Sequence, residues 1–152
     1  MFFTLTLGDS YFPFLAYSCF PITPIEVMDS TILRQWADLE PLERYPLIGQ
    51  CLSMFGRKND GDEKVLSSLF LSILDYAPDK RHFLGNIFDR LYPNSWSGAL
   101  ADVLVRRKGH MMKLAEHLDK EVRGWATETI PELDGWIEIE QGRDREGEES
   151  FE

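Results

Sequence analysis

Cysteine is scarce in this chain: Cys19 and Cys51 stand alone, without C-x-x-C spacing. Two such residues are too few for a disulfide framework and fit two ordinary thiols of a reducing cytoplasm, with a single disulfide as the other arrangement. Positive charge is missing from the first 27 residues, where Asp9 and Glu26 are the only charges. A secretory signal needs a basic start and an unbroken apolar stretch, and Pro13, Pro21 and Pro24 interrupt this one. No apolar run approaches the roughly 20 residues of a membrane-spanning helix, so no membrane association is expected. Also absent are a Gly-rich phosphate loop, a G-x-S-x-G turn and an H-E-x-x-H pair.

What is present points to one helical protein. With 152 residues, 43% of them hydrophobic and 28% charged, the chain is long enough to bury a core. Its 26 acidic residues against 16 basic ones give a formal net charge of −10. Such a field repels phosphate backbones and anionic lipid, which argues against direct nucleic-acid binding and for a partner protein with a basic surface.

Residues 1–27 form an aromatic N-terminal segment, read as a β-hairpin opened by "FFTLTL" and Gly8-Asp9-Ser10, or as an extended cover. Met28, followed by the capping residues Asp29 and Ser30, offers an alternative start. From there to residue 138 the period is helical. A first helix runs from Asp29 or Ser30 to about Leu39. A second, from Pro41 to Phe55, carries Leu42, Tyr45, Ile48, Leu52 and Phe55 on one face. Asp62 is expected to cap a third, "EKVLSSLFLSILDYA", whose Val65, Leu66, Leu69, Phe70, Ile73, Leu74 and Tyr76 nearly encircle the axis, as in a central helix. A fourth follows Asp79 through Leu84, Ile87, Phe88 and Leu91. The fifth starts at Asn94 or Ser95, and the last after Leu118, with Val122, Trp125, Ala126, Ile130, Leu133 and Ile137 at steps of three and four. Pro131 predicts a kink there. The expected fold is all-α, five or six helices in stacked pairs or a bundle, with a hairpin or extended segment in front.

Asp119, Val122, Arg123, Ala126 and Leu133 form a D-x-x-V-R-x-x-A…L pattern that resembles the second helix of HEAT-type repeats. The resemblance covers about residues 60–138. It implies that the Asp caps its helix, that Val and Ala face the neighbouring repeat, and that the Arg ties one turn to the next. "DKRHFLGNIFDRL" begins at Asp79, 40 residues before "DKEVRGWATETIPEL" at Asp119, an offset that suits such repeats. The earlier copy departs from the pattern: His82 replaces the Val, and the Ala has no counterpart.

Candidate chemistry is thin. His110 and His117 lack an obvious third ligand, so no metal is expected, and no cofactor. "NDGDE" at residues 59–63 reads as a turn and helix cap; a Ca²⁺ loop begun at Asn59 would need Glu where Phe70 stands. Arg106, Arg107 and Lys108 are expected to favour a helix dipole at its C-terminal end. An enzyme reading would have to assemble Asp75, His82 and Asp89 as a buried acid–base site.

Partner binding is the stronger expectation. Trp96 and Trp136 lie near element edges, where large aromatics serve as interface anchors, or else cover the end of the core. The acidic C-terminal tail, residues 139–152, supplies charge together with Glu138. From Glu138 onward seven acidic residues face two basic ones. Glu138, Glu140, Asp144, Glu146, Glu148 and Glu149 are thus expected to meet a basic partner, or else to keep a polar helix end soluble. A small acidic cytoplasmic protein of bacterial or phage type would then suit an inhibitor or immunity role, neutralising a basic nuclease, toxin or nucleic-acid-handling complex. The alternative is an accessory or terminal helical-repeat module whose contact is apolar.

Overall fold

In a computed structural model the chain is described over residues 24–58, 61–94 and 96–149, with the side chains at 24, 57–58, 61–64 and 146–149 not described. Most of the expected N-terminal segment, including its hairpin, lies outside these residues. Among the described residues the architecture is all-α with one small antiparallel hairpin, and the chain divides into two compact units, 1–78 and 79–152.

The first unit opens with a short 3-10 turn at Pro24–Val27 and helix α1, Ser30–Ala37, capped by Asp29, whose carboxylate accepts from the Thr31 amide at 2.7 Å. Helix α2, Pro41–Cys51, begins with proline where its missing N–H costs nothing. It ends sooner than the period predicts, because the chain turns extended at Leu52. Phe55 belongs instead to strand β1, Phe55–Lys58, paired antiparallel with β2, Gly61–Leu66, in a register that sets Phe55 opposite Leu66. The Ser67 amide extends the ladder to the Met54 carbonyl at 2.8 Å.

This hairpin replaces the first turns of the expected third helix. Helix α3, Ser68–Tyr76, is capped by Ser67, which accepts from the Phe70 amide at 3.3 Å, and not by Asp62, which lies on β2. Four apolar residues, Leu69, Phe70, Ile73 and Leu74, suffice for a short helix. Val65 and Leu66 carry no spacing that separates helix from strand, and the pairing with 55–58 is invisible in a local window. Phe70, Ile73 and Leu74 are completely buried with Tyr45, Ile48, Leu52 and Leu33, and α1 packs on both α2 and α3. Leu42 and Tyr76, placed inside by periodicity, are exposed. Tyr76 instead lies beneath the Arg34 guanidinium, 3.4 Å from its ring centroid.

The second unit begins with α4, Lys80–Gly85, capped by Asp79 through the His82 amide at 2.8 Å. Gly85 and Asn86 end it, and the rest of the expected helix tightens into a 3-10 turn, Phe88–Arg90. Helix α5 starts at Leu100, later than Asn94 or Ser95, after Gly98 takes φ +78°, a conformation other side chains rarely adopt. It runs to Leu114. Helix α6, Lys120–Glu149, continues without a break through Pro131 and packs along α5 and against α4.

The apolar stripe of α6 differs from expectation at its start and in its middle. Leu118 is 96% exposed, ahead of the first turn. Val122, Trp125, Ala126, Leu133 and Ile137 are buried, whereas Ile130 is half-buried and Thr129 takes the inner position. Thr129 can sit there because its hydroxyl donates to the Trp125 carbonyl at 2.8 Å.

Candidate partner-binding site

Steps of three and four carry the inner stripe of α6 past Leu133 to Trp136, Ile137 and Glu140. Trp136 is half-buried against Phe88 of the 3-10 turn and Tyr92 just beyond it. The Phe88 ring lies 5.7 Å away at 48° and the Tyr92 ring 5.5 Å away at 88°, so Tyr92 meets the indole edge to face. Phe88 and Tyr92 are themselves half-buried, four residues apart. Together the three rings make one aromatic cluster at the root of the acidic segment.

Glu140 lies one turn beyond Trp136. It was expected among the exposed partner-binding acids; it is buried, with only 9% of its side chain accessible. The Tyr92 hydroxyl donates to Glu140 Oε1 at 2.8 Å, and Arg143 donates to the same oxygen at 2.6 Å. A buried carboxylate needs such partners, and both are charge-assisted. Burial, and next the neighbouring Glu140 carboxylate, push the Tyr92 phenol above its ordinary value. Its position on the inner stripe follows from the spacing, since Ala126, Leu133 and Glu140 recur every seven residues, but the Tyr92 hydroxyl that lets a carboxylate be buried there does not.

Of the other predicted residues, Glu138 and Asp144 are exposed, and Asp144 stands four residues from Glu140, one helical turn along the same side. Glu146, Glu148 and Glu149 are carried by the helical backbone of α6; their side chains lie outside the description. Trp96 is 49% exposed in the loop before α5. The structure therefore joins Trp136 with Glu140, while Trp96 stands on a different element.

The basic triplet also changes meaning. Arg106–Lys108 sit in the middle of α5, not in its last turn. Arg107 is buried on the stripe Leu100, Leu104, Arg107, Met111, Leu114, and donates to the carbonyls of Arg90 at 3.0 Å and Leu91 at 2.5 Å. Burial lowers its guanidinium to about 10, so it remains charged at neutral pH. These bonds fix the chain immediately before Tyr92. Lys108 reaches Asp134 of α6 at 2.5 Å, and Arg81 of α4 pairs with Glu128. Arg106 alone of the triplet is exposed.

Asp75, His82 and Asp89 are each exposed, which removes the burial an acid–base site would have used. Among the described residues no group of three His, Cys, Asp or Glu side chains is placed to hold a metal ion, and no helix is long and apolar enough to cross a membrane. Comparison with protein-family models, curated proteins and solved structures gives no match.

Proposed function

We propose that this protein acts by binding another protein with a basic surface, through the second half of α6. The observation that carries this is the form of the acidic segment: a helix whose backbone is continuous to Glu149, anchored at Trp136 and Glu140 and bearing the exposed carboxylate of Asp144 one turn beyond. A helix presents charges at fixed spacing and loses less entropy on association than a free tail. Laid on the basic cleft of a nuclease, toxin or nucleic-acid-handling complex, it would occupy the place of the polyanion. That is the action of an inhibitor or immunity protein, and the thiol content suits the cytoplasm.

The HEAT-like resemblance forms part of this reading, and what supports it lies at the start of α6. Asp119 caps α6 through the amides of Glu121 at 2.8 Å and Val122 at 3.4 Å; Val122 and Ala126 are buried; Arg123 donates to the carbonyls of His117 and Leu118.

The test retains partners of the tagged protein from its native host at low and moderate salt. A basic protein lost as salt rises is expected, because exposed charge pairs are screened. A salt-resistant complex would overturn the electrostatic reading. It would favour a second one, an interaction module with an apolar contact, for which the exposed Trp96, Val105 and Met112 speak. In that case Trp96→Ala abolishes association and charge reversal in α6 does little.

A further inference from the structure

We propose that the Glu140 carboxylate is the receiving point for an arginine side chain of the partner, and that Arg143 occupies this point in the free protein. The inference rests on the basic-partner reading and deepens it to one site. Glu140 is held from two directions: its backbone is inside α6, and the Tyr92 hydroxyl donates to Oε1 at 2.8 Å. Tyr92 in turn is positioned by its ring contact with Trp136 and by the Arg107 clamp on the preceding residues. The acceptor is therefore fixed before any partner arrives.

Its present cation is not. Arg143 meets Glu140 at 2.6 Å, but its side chain is 66% exposed and the pair spans only three residues of one helix. The exposed guanidinium can therefore leave for water or yield to another cation, whereas the buried carboxylate still requires a donor. A partner's guanidinium would replace like with like: a planar donor fork on the carboxylate, beside the half-buried faces of Trp136, Tyr92 and Phe88. Exposed Asp144, one turn along, adds a second carboxylate, and the net charge of −10 draws cations inward. Arg143 thus keeps the buried carboxylate neutralised until it is exchanged.

The experiment uses the full chain labelled with ¹⁵N-tryptophan, titrated at low salt with a blocked oligoarginine peptide, with the Trp136 indole resonance assigned by Trp136→Phe. A saturable shift of that resonance is expected. Arg143→Gln should tighten binding about threefold relative to Arg145→Gln, which changes charge equally but whose Nε donates to the Gln141 carbonyl. Glu140→Gln should weaken binding at least about tenfold, against about twofold for the exposed Glu138→Gln. Because Glu140→Gln alters a buried hydrogen bond, the Arg143 and Arg145 comparison, on exposed side chains, decides independently of folding. Equal effects of those two variants, or an unmoved Trp136 resonance at saturation, would overturn the site while leaving a basic partner in place. No binding of the peptide at all would overturn both. Tighter binding of oligolysine than of oligoarginine would remove the arginine assignment.

Discussion

Arg107 and Tyr45 are buried polar residues whose environments make different demands. The Arg107 guanidinium satisfies two main-chain carbonyls inside the second unit. Removing it strands those acceptors, so Arg107→Ala should cost about 3 kcal/mol in urea denaturation, and Arg107→Lys, without the fork, should recover only part. Tyr45, 1% exposed, donates to Asp38 at 2.8 Å. Burial first, then the Asp38 carboxylate, raise its phenol to about 12 from the ordinary 10.0. The unfolded chain therefore ionises first. This contribution to stability is complete below about pH 10 and is lost as pH rises through about 12. In an alkaline absorbance titration, Tyr45→Phe should remove a tyrosine midpoint near 12 and flatten the loss of stability in that window.

At the scale of elements, caps and interruptions decide where helices begin and how they run. Asp79 was legible as a cap from its place before an apolar stripe, and Asp119 from the repeat resemblance; both bond to free amides of the first turn, whereas Asp62, equally placed before an apolar run, lies on β2. Asp119→Ala should cost about 1 kcal/mol. Since those amides hold the Asp119 carboxyl below its ordinary value, its contribution persists above the unfolded pKa near 3.8 and disappears as pH falls through the lower folded one. The ΔΔG of Asp119→Ala, measured by denaturation from neutral pH downward, should shrink toward zero in acid. Pro131 sits inside α6 without a backbone donor, and it is exposed. Pro131→Ala should therefore raise stability by about 1–3 kcal/mol, read in the same denaturation series. A loss would mean that α6 depends on a bend at this position to follow α5. The β1–β2 hairpin escaped prediction for a complementary reason: its two strands specify each other, and neither is distinctive alone.

For the whole molecule, charge and anchoring are separable. In the proposed binding, the field of ten net negative charges would act at a distance and the Trp136 cluster on contact. Once a basic partner is in hand, raising salt should slow association steeply and change dissociation little, while Trp136→Ala should speed dissociation, both read by stopped-flow or surface kinetics. If salt altered only dissociation, long-range steering by α6 would be excluded.

The helical class, the caps at Asp29, Asp79 and Asp119, most of the α6 stripe and the acidity of its end all follow from local sequence, because periodicity, capping and charge need no distant partner. Tertiary structure alone decided that residues 61–66 pair as a strand, that Leu118 and Leu42 face water, and that Arg107 and Glu140 turn inward. A charged residue on an apolar stripe can be buried only if some other segment supplies its hydrogen bonds. Those partners, Arg90, Leu91 and Tyr92, come from 17, 16 and 48 residues away, a distance at which local pattern carries no information.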